Sequence, residues 1–298
     1  MTPTILVGGL TRRYRGQLAL DDVTFDVQGA SVTGLLGRNG AGKTTLLRII
    51  AGHEFASAGR VAVLGASPVK DEEVLRRMVF IREDQTYPDL KVRHVLRVAS
   101  WFYPNWSQEL AGALVDDFAL PLNRRIKKLS RGMRSAVGIV IGLAARAEVT
   151  LFDEPYAGLD AVARQVFYDR LVAEQAEHPR TVLLSTHLID EAAGLLDRVV
   201  VIDRGRVVLN MAADDLRGAA TNVSGPAIAV AEFTSGRSVW NRRRIASQES
   251  AVVAGTLNET DRARAAALHL RLEPLTLQEV VVQVAGAPAA SQQERTSA

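Results

Sequence analysis

Cysteine is missing altogether from the 298 residues, and with it go a disulfide framework, a thiolate metal site and a thiol nucleophile. The absence fits a reducing cytosol. Long apolar runs are missing too: the longest, AVGIVIGLAA at 136–145, is about half of the ~20 residues that a membrane-spanning helix needs. The N-terminal MTPTILVGGLTRRYRG reaches its charges too soon for a secretory signal, so any membrane role is expected to come through a partner. Net charge is equally small, with 36 Lys and Arg against 33 Asp and Glu, which gives little electrostatic drive toward nucleic acid. No internal repeat or heptad array is visible.

What the chain does have is enough apolar residue, 47%, for one large domain with something smaller attached. Short β-branched runs at 23–27, 31–36, 61–65, 149–153, 181–186 and 198–203 alternate with helix-like segments, the pattern of an α/β sheet. Between about 84 and 147 the strand signal fades, and helical spacing such as Leu110, Leu114 and Phe118 takes over. From about 218 the texture changes again. GAATNVSGPA reads as a linker, ETDRARAAALHL as a helix, and Thr276 with Glu279 as a capping box for a last short helix. The triple Arg in SVWNRRRIAS reads as a solvated turn rather than a contact to an anionic lipid or nucleic acid. The closing AGAPAASQQERTSA is small and polar, as disordered tails are.

Chemistry concentrates first in GLLGRNGAGKTTLLRIIAG. Gly37, four intervening residues, then Gly42, Lys43 and Thr44 have the spacing of a phosphate loop, with an apolar strand before and a helix after. The backbone N–H groups of Asn39, Gly40, Ala41 and Gly42 would then turn inward around phosphates at a helix N-terminus. Lys43 would reach the β- and γ-phosphates, Thr44 would ligate Mg²⁺, and Thr45 would add a phosphate contact.

A second apolar run, VTLFDEPYAGLD, ends in the carboxylates Asp153 and Glu154. Run parallel to the first strand, it would bring both beside the phosphate loop, Asp153 to hold Mg²⁺ and Glu154 to polarise the attacking water. LLSTHLIDEA places His187 at the end of another apolar strand, from which its imidazole could contact the γ-phosphate or the attacking water in support of catalysis. KLSRGMRSAVGI is a helix entrance with Ser130 as cap.

In this order the pieces resemble the nucleotide-binding subunit of an ATP-binding cassette (ABC) transporter over about residues 5–217. LSRGM is similar to the family signature LSGGQ, AGLD to its D-loop, STH to its switch histidine, and Tyr14 stands where the family stacks an aromatic ring on adenine. The resemblance implies a P-loop NTPase core of ABC ATPase type with an antiparallel β subdomain and a helical insertion, to which the C-terminal residues add a small α+β appendage. The implied domains are 1–217 for ATP binding (helical at about 84–147), 218–284 for the accessory region, and a disordered tail at 285–298.

By the same resemblance two cassettes, identical or different, pair head to tail. Ser130 and Gly132 then hold the γ-phosphate of the ATP bound opposite, and Asp160 couples the two sites. ATP and Mg²⁺ are the implied cofactors, with a membrane permease as partner and no nucleic acid. The place is the inner face of the cell membrane, on its cytoplasmic side and reached through that permease. The string looks like the bacterial exporter branch with separate membrane subunits. A soluble cassette ATPase acting on ribosomes or DNA is the alternative; it usually carries two cassettes in a chain, a long coiled coil or a basic arm, none of which is visible.

Two departures stand out. Where the family has its Q-loop glutamine, VFIREDQTYPDL offers Glu83 in that place and Gln85 two residues later, both candidates for sensing Mg²⁺. The signature carries Arg131 and Met133 in place of Gly and Gln. The two Trp of VASWFYPNWSQELA suit an interface and a core equally well.

Overall fold

A computed structural model describes residues 3–216 and 218–285. All but the first residue of the tail expected to be disordered lies outside the described residues. The chain divides into two compact units: residues up to His187 with Leu195–Val207, and Leu188–Gly194 with the residues from Val208 on.

The first unit opens with β1 (Ile5–Tyr14) and β2 (Gln17–Val27), then β3 (Val32–Leu36), α1 (Lys43–Ile50), β4 (Ala58–Val63), α2 (Glu72–Arg76) and β5 (Met78–Arg82). β1 pairs antiparallel with both β2 and β4, forming the antiparallel subdomain. Ile5, Val7 and Leu10 of β1 are fully buried, but the ladder with β2 shifts register between Val7 and Leu10. The shift lets Leu10 face the same core as Val7 despite the odd spacing.

Three helices follow, α3 (Val92–Phe102), α4 (Gln108–Asp117) and α5 (Arg131–Ala144). Leu110 and Leu114 are buried as their spacing demands, and Ser107 caps α4 by accepting from the Leu110 N–H at 3.2 Å. The aromatic stretch splits. Trp101 and Phe102 are 73% and 68% exposed, so neither is in a core, while Trp106 is half-buried and donates to Gln108 Oε1 at 3.3 Å.

The unit is completed by β6 (Val149–Asp153), α6 (Ala161–Glu177), β7 (Thr181–Thr186), α7 (Ile189–Ala192), β8 (Arg198–Asp203) and β9 (Arg206–Ala212), with α7 and the end of β9 assigned to the second unit. The six-stranded sheet runs β5-β6-β7-β3-β8-β9. β3, β6 and β7 are buried at every residue, as strands of a sheet covered on both faces must be. β5 with β6, β6 with β7, β7 with β3 and β3 with β8 all run parallel, so their C-terminal ends open on one edge, where ligands of such sheets bind. One core, containing Leu10, Phe25, Leu35, Leu46, Leu151 and Leu183, joins both sheets to α1.

The second unit continues through α8 (Ala213–Leu216), β10 (Ala220–Pro226), α9 (Ala227–Thr234), β11 (Val239–Ile245), β12 (Gln248–Ala254), α10 (Glu259–Ala267), β13 (Arg271–Pro274) and α11 (Leu277–Ala285). Its antiparallel sheet is ordered β11-β12-β10-β13, over a core of Val223, Val230, Phe233, Ala251 and Val253. The capping box at α11 is formed: Thr276 Oγ1 accepts from the Glu279 N–H at 3.2 Å, and Glu279 Oε2 from the Thr276 N–H at 2.8 Å.

Two expectations are corrected. The segment read as a linker at 218–227 contributes β10, an inner strand; Ala220 and Val223 are its only fully buried side chains, and the Asn, Ser, Gly and Pro around them mask the strand pattern. The triple Arg is not a turn. Arg242, Arg243 and Arg244 lie in the edge strand β11, where charge discourages further strand pairing, and Arg242 Nη1 donates to Glu249 Oε1 across the ladder at 2.7 Å.

Candidate functional site

The loop at 37–42 joins β3 to α1 at the sheet's C-terminal edge. Gly42 has φ +111°, and a Cβ there would fall 2.8 Å from the Ala19 carbonyl oxygen, so both backbone and space demand glycine. No side chain caps α1, and its first turn holds no acid; the positive helix end is left for an anion. Lys43 is buried, donating from Nζ to the carbonyls of Gly37 at 2.7 Å and Arg38 at 3.4 Å. Burial pushes its pKa below the usual lysine value, while Glu154 and Asp153 pull the other way.

A cavity of about 420 Å³ opens over this loop, lined by Asn39, Gly40, Ala41, Gly42, Lys43, Thr44 and Thr45 from one side and by Glu83, Glu154 and His187 from others. The carboxylates arrive on β6. Asp153 is buried, its Oδ1 accepting from Ser185 Oγ at 2.6 Å. Glu154 turns the chain with φ +48°, a conformation that non-glycine residues rarely adopt. Its N–H is held by the Ser185 carbonyl at 3.3 Å and Ser185 Oγ at 3.2 Å.

The Glu154 carboxylate sits between two cationic or ionisable groups. Oε1 is 3.9 Å from Lys43 Nζ, and Oε2 is 2.7 Å from His187 Nδ1. A carboxylate at that distance places the ring proton on Nδ1. Thr44, Asp153, Glu83 and Glu154 offer only oxygen donors, the set that a hard ion such as Mg²⁺ takes.

Other residues singled out in the sequence lie elsewhere. Gly37 and Asp153 stand outside the cavity lining but touch residues that form it or hold it. Ser130 is exposed and caps α5, accepting from the Met133 N–H at 3.1 Å. A Cβ at Gly132 would meet the Gly158 carbonyl oxygen at 2.4 Å, so the signature turn and the D-loop pack backbone to backbone. Asp160 caps α6 through the Ala163 N–H at 2.9 Å.

Of the two Q-loop candidates, Glu83 reaches the cavity. The Gln85 side chain folds back to accept from the Arg82 N–H at 3.3 Å and lines a neighbouring groove. Tyr14 is outside the cavity, its hydroxyl on Glu54 and its ring under the Arg12 guanidinium at 4.4 Å; Gln17, Leu18 and Ala19 of β2 line that side instead.

Sequence reasoning missed two supports. Ser185, holding Asp153 and the Glu154 backbone, sits inside the apolar run LLSTH, where a serine in a buried strand was itself a signal. Tyr156 follows Glu154 by two residues, and its hydroxyl donates to Glu154 Oε2 at 2.8 Å.

Residues 20–157 match the sequence pattern described as ABC transporter. The chain is 33% identical over 222 residues to the doxorubicin resistance ATP-binding protein DrrA of Mycobacterium tuberculosis, spanning 72% of this chain and 67% of that one. It is 32% identical over 209 residues to the Nod factor export ATP-binding protein I of Rhizobium johnstonii, spanning 68% and 67%. A solved ATP-binding subunit of an ABC transporter superposes with a TM-score of 0.65 at 30% identity, covering 72% of this chain and 92% of that one. This chain belongs to the ABC transporter family. It is an ATP-binding, ATP-hydrolysing subunit of such a transporter.

Proposed function

We propose that this chain is the motor of an exporter, working as one of two paired cassettes on a separate membrane permease. The carrying observation is the placement of Glu154: a carboxylate at the phosphate-loop cavity, 3.9 Å from Lys43 and 2.7 Å from His187. Lys43 and the α1 N-terminus bind the phosphates. Glu154 takes the proton of the attacking water as general base, and His187 keeps its carboxylate oriented. Thr44 and Asp153, with Glu83, would hold Mg²⁺, which when bound neutralises charge on the β- and γ-phosphates.

The exposed Ser130 at the α5 N-terminus serves the ATP of the partner cassette together with Gly132, and Asp160 links the two sites. No described helix is long and apolar enough to cross a membrane, so the permease supplies the membrane path, and the chain sits at the cytoplasmic face of the membrane through it. Exposed Trp101 and Phe102 on the helical segment suit that contact. Export is supported by the relative named for Nod factor export.

The test is Glu154→Gln. ATP binding stays within about twofold, while hydrolysis falls at least ~10²-fold and ATP traps a dimer in size-exclusion chromatography. Normal turnover by this variant would remove Glu154 from the role of base. Co-purification of the tagged chain with a polytopic membrane protein tests the partner.

A further inference from the structure

We propose that Tyr156 is a positioning residue for catalysis: its phenol ties down one oxygen of the Glu154 carboxylate so that the other is presented to the attacking water. The inference rests on the reading of Glu154 as general base. Glu154 Oε2 receives two donors, the Tyr156 hydroxyl at 2.8 Å and His187 Nδ1 at 2.7 Å. Oε1, the oxygen toward Lys43, is outside this clamp. A carboxylate held through one oxygen by two groups of different origin cannot rotate without breaking both bonds, which is how a base is held in a productive geometry.

The clamp is built into the fold. The left-handed backbone at Glu154 turns the chain after β6, and the Ala157 N–H closes the turn on the Glu154 carbonyl at 3.2 Å. This doubling back is what lets residues only two apart meet through their side-chain ends. Tyr156 is 2% exposed, its ring 6.2 Å from those of Tyr168 and His187. The phenol also contacts Thr186 Oγ1. A phenol has one proton to give; with that proton on Glu154, Thr186 is the donor in the second contact. Thr186 and His187 are adjacent at the end of β7, so one strand end holds Glu154 Oε2 directly through His187 and holds the Tyr156 phenol through Thr186.

A phenylalanine would fill the same space, and a hydroxyl buried there costs desolvation unless it is bonded. Burial, with the Glu154 charge second, pushes the Tyr156 pKa far above the usual tyrosine value, so the phenol remains a donor across the working pH range.

The experiment is Tyr156→Phe in the full chain, read by steady-state ATPase kcat and KM, by ATP affinity and by thermal unfolding. The expected result is a kcat lowered about tenfold, part of the roughly 10²- to 10⁴-fold that a base contributes, with KM for ATP and ATP affinity within about twofold. A fall in kcat with KM and ATP affinity held is the split expected of a group that orients the base, since a merely space-filling side chain would leave kcat in place. Unchanged kcat, with ATP binding intact, would overturn the inference and leave Tyr156 a space-filling side chain. Glu154→Gln keeps the two readings apart. If it is inactive while Tyr156→Phe is normal, positioning alone fails; if it turns over normally, the base reading fails first.

Discussion

Arg131, the first residue of α5, is ion-paired with Glu83, which lines the phosphate-loop cavity. The residue that departs from the family signature thus meets the residue that departs from the family Q-loop, and each accounts for the other's charge. The pair is largely exposed, 62% for Arg131 and 46% for Glu83, so breaking it costs under about 1 kcal/mol of stability.

The consequence for the metal is specific. Glu83→Gln removes an oxygen anion from the cavity and is expected to raise the Mg²⁺ concentration for half-maximal ATPase several-fold. Gln85→Ala is expected to leave that midpoint in place, since the Gln85 side chain is bonded to the Arg82 N–H and lines a different groove. A Mg²⁺ titration of ATPase with both variants decides between them; the reverse pattern would make Gln85 the sensing residue.

Lys43 supplies the next prediction. Its buried ammonium is held by the Gly37 and Arg38 carbonyls and lines the cavity. Lys43→Ala removes the one buried cation among the described residues lining that cavity, and ATP affinity by fluorescence titration is expected to fall at least ~10-fold, a loss of about 1.4 kcal/mol or more.

How much of this was legible in sequence depended on distance along the chain. The strands at 149–153 and 181–186 were readable to the residue because every side chain is buried and apolar and β-branched residues predominate in both. β1 was not, since Gly8 and Gly9 sit at its register shift and break the alternation. β10 was masked by turn-forming residues around two buried ones. The phosphate loop and the Asp-Glu pair were legible as contiguous strings whose chemistry is local. The Arg131–Glu83 pair spans 48 residues, and the Tyr156 bond to Glu154 needs a left-handed turn that no propensity predicts for glutamate. Both come from tertiary packing.

Acid sensitivity is expected at the junction of β5 and β6. Arg77 grips Glu148 with two bonds of 2.6 Å, Nε to Oε1 and Nη2 to Oε2, and this hydrogen bonding holds the Glu148 pKa below the usual glutamate value against an opposing burial effect. A carboxylate whose folded pKa is depressed contributes stability at pH above its unfolded value and loses it as pH falls through the folded one. Glu148→Gln therefore lowers the melting temperature slightly at neutral pH, through a stability loss of under about 1 kcal/mol for so exposed a pair. The difference from the parent chain closes as pH falls below the glutamate range. Melting curves of both proteins from neutral pH to about pH 3 check the sign.

Ser130 has two roles to separate, the cap observed on α5 and the proposed contact with ATP on the opposite cassette. Ser130→Ala removes both and is expected to cost about 1 kcal/mol of stability along with turnover. Ser130→Asp separates them. Aspartate is as good a cap as serine, and its charge is favoured at the positive end of a helix, so the variant is expected to melt at or above the parent temperature. It also binds ATP in its own phosphate loop normally. Yet a carboxylate at that helix end repels an incoming γ-phosphate, so ATP-driven pairing and hydrolysis are expected to fall by at least ~10-fold. Parental hydrolysis by a stable Ser130→Asp chain would mean that the cap is the whole role of Ser130.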